Sequence, residues 1–172
     1  MPQHHRLVAR CGLCGRPAGT VRVRRCGVRR ANSLIAVLFL DMDSFKQIND
    51  RHGHLVGDQL LRAVAMRLQD AIRASDTVGR LGGDEFVVVL ERVTSPECVA
   101  TIADNLRTAL SAPIDLDGTV LQVTPSIGIA LYPADGDDGR QLIRCADDAM
   151  YVAKSAGGNR IHFRQVASAR DS

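Results

Sequence analysis

The stretch LIAVLFLDMD, residues 34–43, decides the fold class of this 172-residue chain. Its first seven residues are all apolar, and a continuous run of this kind that ends in acids is typical of a central strand buried on both faces. Asp41 and Asp43 stand at the carboxyl end of this predicted strand. Because open α/β sheets place their ligand sites at the carboxyl ends of strands, these two acids are candidate ligand residues.

Beyond this stretch, strand-like and helix-like patterns alternate along the chain. After Gly57 and Asp58, apolar residues recur at three- and four-residue steps, which predicts a helix. The other predicted elements are a strand over 86–90, a helix opened by Ser95 as N-cap and Pro96 as N1, a turn over 115–118, strands over 119–123 and 126–131, a helix from near Gly139 and a short strand at 162–163. This order indicates one α/β (α+β) domain in which helices flank a central mixed β-sheet.

Composition and charge exclude several classes of protein. With 45% apolar and 24% charged residues, the chain has the composition of a folded globular domain rather than a disordered one. The longest apolar run has seven residues, too short for a membrane span, so we expect a cytoplasmic protein without a membrane segment. The net charge of +3 combines +8 in residues 1–40 with −5 in residues 41–172. The folded part is therefore acidic, and the basic isoelectric point does not indicate nucleic-acid binding.

The basic head, residues 1–32, shows no sustained periodicity. Cys11 and Cys14 have half the spacing of a zinc site, and Cys26, His4 and His5 could nominally complete it, but a second C-x-x-C or an H-x-x-x-H pair is missing. Three interpretations stay open: a poorly defined leader, a zinc knuckle, or a stretch misread from an incorrect start or frame. We divide the chain into this leader, a domain over 33–165 and a tail over 166–172.

A second acidic motif lies in LGGDEF, residues 81–86. The paired glycines allow a tight turn before the strand that begins at Phe86, and they present Asp84 and Glu85 at its start. Carboxylates on a strand end and on a neighbouring hairpin can converge on one Mg²⁺, which takes one or two carboxylates plus phosphate oxygens. Each motif alone also fits an ordinary turn. Together they favour a metal site for a nucleoside triphosphate.

The stretches GGDEF (82–86) and DMDSFKQIND (41–50) resemble the signature motifs of the GGDEF diguanylate cyclase family. The resemblance extends from about residue 34 to 163 and includes SIGIA at 126–130, AD at 146–147, AMY at 149–151 and AK at 153–154. It implies a palm-like domain similar to nucleotidyl cyclase catalytic domains, with one GTP bound per domain. Two such domains would face each other as a head-to-tail homodimer and condense two GTP into cyclic di-GMP and two pyrophosphates.

The resemblance also implies which residues form the catalytic and metal sites. Asp41, the carbonyl of Met42 and Asp84 would hold Mg²⁺ (or Mn²⁺). Asp84 would also act as the base, with Glu85 as a second ligand or supporting acid, and Lys46 would face the phosphates. A carboxylate beside a divalent cation can lower the cost of deprotonating a ribose hydroxyl, which is consistent with these roles.

Further positions would bind the rest of GTP. The resemblance implies that Asn49 and Asp58 recognise guanine, that His54 lines the same pocket and that Lys154 contacts a phosphate. Each has a simpler structural interpretation: Asn49 as a turn residue, Asp58 as a helix N-cap, and His54 and both lysines as solvated surface residues.

Arg73 and Asp76 match the R-x-x-D motif and the spacing of the family's inhibitory site, where the product would bind; the alternative is a local ion pair at a helix end. Two features depart from the family pattern. The D-x-L-T-G-L-x-N-R stretch that usually precedes the first strand is missing, and Gly158 stands where a phosphate-binding arginine is usual. These departures keep a second function open, a non-catalytic receptor for cyclic di-GMP or GTP.

Overall fold

The computed structural model describes residues 34–164, which form seven strands and four helices. The predicted leader, with its cysteines and histidines, and the predicted tail lie outside these residues, as do residues 33 and 165 at the two ends of the predicted domain. In chain order the elements are β1 Leu34–Met42, α1 Phe45–His52, α2 His54–Ala71, β2 Thr77–Gly82, β3 Glu85–Val93, α3 Pro96–Ser111, β4 Ile114–Leu116, β5 Thr119–Leu121, β6 Pro125–Tyr132, α4 Gly139–Ser155 and β7 Ile161–Phe163.

A five-stranded mixed sheet in the order β2-β3-β1-β6-β7 forms the centre of the domain. Strand β1 is antiparallel to both β3 and β6, while β7 runs parallel to β6. Strands β4 and β5 form a separate two-stranded hairpin. The predicted mixed sheet and the central place of the first strand are therefore confirmed.

The apolar run of β1 is buried because helices cover both faces of the sheet. Leu38 and Leu40 belong to the core cluster beneath α2 and α3, whereas Val37 and Phe39 pack with Leu142 and other residues of α4. Alternate side chains of a strand point to opposite faces, so a strand between two helical layers must be apolar at every position. Burial of one such side chain contributes about 1.5–3 kcal/mol. The apolar residues therefore hold β1 in the centre of the sheet, with Asp41 near its carboxyl end.

Some helix boundaries differ from the sequence prediction. The predicted N-cap at Ser95 is confirmed, because its side chain accepts a hydrogen bond from the Cys98 N–H at 3.3 Å. Helix α1 was not predicted, and α2 begins at His54 rather than after Asp58. Gly53, at φ 86°, separates these two helices. No helix within residues 34–164 is long and apolar enough to cross a membrane.

Two of the simpler interpretations are consequently wrong. Asp58 lies inside α2, beyond its first turn, so it cannot be the N-cap. Asn49 lies within α1, so it is not a turn residue. Asp58 is exposed, so its charge is solvated without any capping role, whereas the partly buried amide of Asn49 is not explained by local backbone capping.

Candidate active site

Asp41 is the buried carboxylate at the centre of the site. It lies at the end of β1 opposite Glu85 of β3 and Ser126 of β6, and only 8% of its surface is exposed. Lys154, in the last turn of α4, donates a hydrogen bond from Nζ to Asp41 Oδ1 at 2.6 Å. The two residues are 113 positions apart in the chain, and the packing of α4 against β1 and β6 brings them together.

The electrostatics of this pair show that the site carries excess negative charge. Burial raises the pKa of Asp41, the Lys154 hydrogen bond opposes that shift, and the charge of Asp84 adds to it, so the pKa lies above its ordinary value. Burial alone would lower the pKa of Lys154, but its hydrogen bond to Asp41 and the surrounding acids outweigh this effect and raise the pKa. One ammonium thus does not neutralise the acids around it.

Asp84 in the turn between β2 and β3, and Glu85 at the start of β3, lie close enough to Asp41 for their charges to act on one another. The backbone N–H of Met42 donates to the carbonyl of Asp84 at 3.3 Å, so the turn is fastened to the end of β1. Burial raises the pKa of Glu85, and the charges of Asp147, Asp41 and Asp84 raise it further. Gly83 in this turn has φ 47°, which confirms the tight turn predicted from the paired glycines.

Sequence reasoning assigned no role to Asp147. Its charge nevertheless raises the pKa of Glu85 more than any other neighbouring charge does. Asp147 and Lys154 are seven residues apart on α4, and this spacing places them on one face of the helix. That spacing is the signal that could have identified Asp147 as a neighbour of the acids.

The donor set of this region suits a divalent cation that is completed by a substrate. Among residues 34–164, no three His, Cys, Asp or Glu side chains are grouped closely enough to hold a metal ion by themselves. Mg²⁺ typically takes only one or two carboxylates and fills its other positions with water and phosphate oxygens. Asp41 and Asp84 can supply the carboxylates. Met42 is 1% exposed, and a thioether is not the oxygen ligand that Mg²⁺ takes, so only the backbone carbonyl of Met42 could contribute.

The predicted guanine-binding residues lie on α1 and α2. Asn49 is half-buried as a residue, but its Oδ1 atom is fully buried and has no hydrogen-bond partner among residues 34–164. Gly57 lies directly against this amide, because a Cβ at position 57 would be only 1.8 Å from Asn49 Oδ1. His54 and Asp58 are exposed and one turn apart on α2, so their side chains share a face.

The remaining phosphate candidate, Lys46, lies in the first turn of α1 and is exposed. None of the three ion pairs found in residues 34–164 includes it. The structure therefore brings Asp41, Asp84, Glu85 and Lys154 together, and it packs Asn49 against the helix that carries His54 and Asp58.

Comparison with known proteins identifies the family and the fold of the chain. The family model described as "Diguanylate cyclase, GGDEF domain" matches residues 21–160. The chain belongs to the GGDEF domain family. The sequence-based identification is confirmed, and the GGDEF motif itself forms the turn that carries Asp84 and Glu85. The match starts inside the segment that we assigned to the leader, and the division into leader, domain and tail stays a prediction.

Relatives of this GGDEF domain include proteins named as cyclases and others named as phosphodiesterases. Diguanylate cyclase TpbB of Pseudomonas aeruginosa is 49% identical over 128 residues, which cover 73% of this chain and 29% of that protein. The chain thus spans less than a third of the length of this relative. Two further relatives, from Pseudomonas aeruginosa and Escherichia coli, are named cyclic di-GMP phosphodiesterases.

Solved structures agree with the family. The crystal structure of the TpbB GGDEF domain superposes with a TM-score of 0.76 at 44% identity, covering 78% of this chain and 84% of that one. The GGDEF domain of DgcB from Caulobacter crescentus, solved in complex with cyclic di-GMP, has a TM-score of 0.70 at 30% identity and covers 77% of this chain and 78% of that one. A palm-like GGDEF fold is therefore established for this chain.

Away from the acids of this GGDEF domain, Arg73 and Asp76 lie between α2 and β2 beside a cavity of about 520 Å³. Asp76 Oδ2 accepts the Arg73 backbone N–H at 3.2 Å, and Oδ1 accepts the Glu91 backbone N–H at 3.1 Å. None of the three ion pairs found in residues 34–164 joins Arg73 to Asp76. The alternative of a local ion pair is wrong: the carboxylate fastens the backbone and leaves the guanidinium beside the cavity.

Proposed function

We propose that this chain is a diguanylate cyclase that condenses two GTP into cyclic di-GMP and two pyrophosphates. The observation that carries the proposal is the buried Asp41 carboxylate, which meets Lys154 on one side and the Asp84–Glu85 turn on the other. A buried acid with a raised pKa in a cluster of acids is costly to keep, and its retention is typical of a functional site.

The metal that fits this donor set is Mg²⁺ (or Mn²⁺). Asp41 and Asp84 would hold it, with the backbone carbonyl of Met42. When bound, such an ion neutralises phosphate charge and lowers the cost of deprotonating the ribose hydroxyl. Burial is the main cause of the raised pKa of Asp41 and of Glu85, and the charges of neighbouring acids add to it; a cation at this position would offset both effects, which supports the proposal.

The protein's own groups account for the proton and charge movements of the reaction. Asp84 takes the proton of the 3′-hydroxyl, and Glu85 supports it. The hydroxyl oxygen forms a bond to the α-phosphorus of the other GTP, the bond to the β-phosphate oxygen breaks, and pyrophosphate leaves with the electron pair. Lys154 and Lys46 donate to the phosphates and stabilise the negative charge that develops there. The ring closes by a second step of the same kind, in which the 3′-hydroxyl of the other nucleotide attacks the α-phosphorus of the first and the second pyrophosphate leaves.

Guanine is selected by the residues of α1 and α2. Asn49 holds an amide acceptor that the protein leaves unsatisfied, and the guanine edge offers N–H donors to it. Asp58 accepts from the N1–H and 2-amino groups, a pattern that adenine does not offer. His54 lies one turn before Asp58 and closes the same pocket.

Because each domain holds one GTP, the reaction needs a head-to-tail homodimer, and its rate rises with the square of the protein concentration until the dimer is saturated. The product inhibits by binding at Arg73 and Asp76, where the guanidinium has no ion-pair partner within residues 34–164 and can bind guanine or phosphate. The supply of GTP places this activity in the cytoplasm.

The test is a discontinuous assay of the full chain at high concentration with GTP and Mg²⁺, in which chromatography separates the products. Wild type is expected to form cyclic di-GMP, and Asp84→Ala is expected to form none while its circular dichroism spectrum stays unchanged. Product formation by Asp84→Ala would contradict the site assignment.

A non-catalytic receptor for cyclic di-GMP or GTP is the second candidate, and one observation favours it. Gly158 replaces the usual phosphate-binding arginine, and the backbone N–H of the next residue, Asn159, donates to Asp43. Absence of product from wild type, together with calorimetric binding of cyclic di-GMP to folded protein, would establish the receptor instead.

A further inference from the structure

Asp43, the second acid of the strand-end motif, has both carboxylate oxygens occupied by protein donors. Oδ1 accepts the Ser126 hydroxyl at 2.7 Å. Oδ2 accepts the Thr124 hydroxyl at 2.9 Å and the Asn159 backbone N–H at 2.8 Å. One side chain thus joins the end of β1, the start of β6 and the loop that follows α4.

This loop is continuous with the helical turn that carries Lys154. The Gly157 N–H donates to the Lys154 carbonyl at 3.1 Å, and the Gly158 N–H donates to the Ala153 carbonyl at 3.2 Å. Gly158 has φ 71°, and a Cβ on it would lie 2.8 Å from Asp43 Oδ2. The backbone of the loop therefore packs directly against the Asp43 carboxylate, and its hydrogen bonds connect this carboxylate to the last turn of α4.

The contacts form a closed ring. Asp41 binds the ammonium of Lys154, the backbone after Lys154 runs to Asn159, Asn159 binds Asp43, and Asp43 lies two residues after Asp41 on the same segment. We propose that Asp43 is a positioning residue that sets the place of the Lys154 ammonium for the triphosphate, and that it is not a metal ligand. This inference rests on the proposed function, in which Lys154 contacts a phosphate.

The physical reason is the freedom of a lysine side chain. Its four rotatable bonds carry about 2 kcal/mol of rotamer entropy, so its head group is placed precisely only when the backbone beneath it is fixed. A charge-assisted hydrogen bond to a phosphate depends on that placement. Replacing Asp43 with asparagine keeps the shape but removes the negative charge and turns one acceptor into a donor, so the contacts become weaker neutral hydrogen bonds and one hydroxyl must turn round to accept.

The first measurement needs no nucleotide. Lys46 and Lys154 are the only lysines in the sequence, so ¹³C-lysine labelling gives two ε-carbon signals, which Lys154→Met assigns. Asp43→Asn is expected to move the Lys154 signal toward its position in Asp41→Asn, where the partner carboxylate is lost, and to leave the Lys46 signal in place. Asp50→Asn, the same change at an exposed site on α1, serves as the matched control and is expected to move neither signal. An unmoved Lys154 signal in Asp43→Asn would overturn the inference.

The second measurement is a double-mutant cycle on ligand affinity. The probe is 3′-deoxy-GTP with Mg²⁺, which lacks the attacking hydroxyl and is not turned over. In the wild-type background, Asp43→Asn is expected to weaken binding of the probe about 10-fold, as the loss of a charged contact does. In the Lys154→Met background, the same substitution is expected to weaken binding less than about 2-fold. Equal losses in both backgrounds would show that Asp43 does not act through Lys154.

Titration with Mn²⁺ in the absence of nucleotide separates this role from metal binding. Mn²⁺ affinity is expected to stay within about 2-fold in Asp43→Asn and to fall at least about 10-fold in Asp41→Asn; a matching fall in Asp43→Asn would make Asp43 a ligand and overturn the inference. If Asp43→Asn does not fold, Thr124→Val removes one of the three donors and is expected to shift the lysine signal in the same direction. If wild type binds no 3′-deoxy-GTP, the proposed function fails, while the lysine signals still decide the role of Asp43.

Discussion

The contact between Gly57 and Asn49 leads to a prediction about Gly57→Ala. We expect this substitution to destabilise the wild-type protein and to stabilise the Asn49→Ala variant. A Cβ at position 57 would lie 1.8 Å from Asn49 Oδ1 and 2.9 Å from its Cγ, with Phe45 Cζ at 3.2 Å. Ordinary contacts of this kind are near 3.4 Å or longer. In Gly57→Ala the amide must therefore move by about 1.5 Å, which requires another rotamer rather than a small adjustment.

The size of the effect follows from two opposing terms. Alanine in a helix interior is favoured over glycine by about 1 kcal/mol. Displacing a packed side chain costs about 1–3 kcal/mol, so Gly57→Ala is expected to lower the free energy of unfolding by about 0–2 kcal/mol. In the Asn49→Ala background the obstacle is gone, and the same substitution is expected to raise it by up to about 1 kcal/mol. The contact with Phe45 is present in both backgrounds and reduces the gain.

Urea unfolding of the four proteins in this cycle measures the stability terms, and calorimetry with 3′-deoxy-GTP and 3′-deoxy-ATP measures recognition of the base. Gly57→Ala is expected to weaken 3′-deoxy-GTP binding about 3- to 10-fold, the value of one neutral hydrogen bond, while the affinity for 3′-deoxy-ATP changes less. A Gly57→Ala protein that is more stable than wild type and binds 3′-deoxy-GTP equally well would refute both the packing argument and the assignment of Asn49 to guanine.

Three further predictions concern the acids and the cavity. Asp58→Ala is expected to reduce the preference for GTP over ATP at least about 10-fold in competition calorimetry, whereas an unchanged preference would remove Asp58 from the pocket. Arg73→Ala is expected to raise the concentration of cyclic di-GMP needed for half-inhibition at least about 10-fold, as measured by adding product at the start of the assay; unchanged inhibition would exclude this cavity. The pKa of Glu85 is raised by burial and by neighbouring acids, so the folded state binds its proton more tightly than the unfolded state. The free energy of unfolding of metal-free wild type should therefore decline as the pH rises from the ordinary carboxyl pKa through the raised one. Glu85→Gln should remove this part of the decline, so its free energy of unfolding should fall less steeply with pH than that of wild type; equal slopes in urea unfolding between pH 4 and pH 8 would contradict it.

The sheet was predictable from sequence because its strands are buried on both faces. Seven consecutive apolar residues in β1 and the valine run of β3 leave few alternatives to central strands, and the structure places both at the centre. Helix α3 was equally clear, since Ser95 and Pro96 mark its start and apolar residues follow at helical spacing. These signals are local, and local signals can be read from a single chain.

Helix α1 was missed because its own pattern is weak. Of its eight residues only Phe45 is buried, so no apolar stripe is present to predict it. The start of α2 was predicted too late because Gly53, not Asp58, breaks the helical path between α1 and α2. The partner of β5 was missed because β4 has only three residues, too few for a periodic pattern.

The candidate site shows where sequence reasoning ends. The motifs identified Asp41, Asp84 and Glu85 as a group, because two acids at a strand end and two in an adjacent turn have few other reasons to occur together. Nothing local could show that Lys154 reaches Asp41 across 113 positions, or that Asp43 reaches Ser126 across 83. Such contacts depend on how α4 and β6 pack, and only the tertiary structure contains that information.

The two acids of the strand-end motif are therefore alike in sequence and different in chemistry. Asp41 is buried, its pKa is raised, and only one of its oxygens is engaged, by a cation. Asp43 is satisfied on both oxygens by neutral donors from three parts of the chain. A carboxylate that is saturated by hydrogen bonds stabilises the fold, whereas one that is buried, incompletely paired and surrounded by like charge lowers stability unless a cation arrives. The difference in hydrogen-bond saturation thus supports the two proposals, that Asp41 binds the metal and that Asp43 organises the phosphate side.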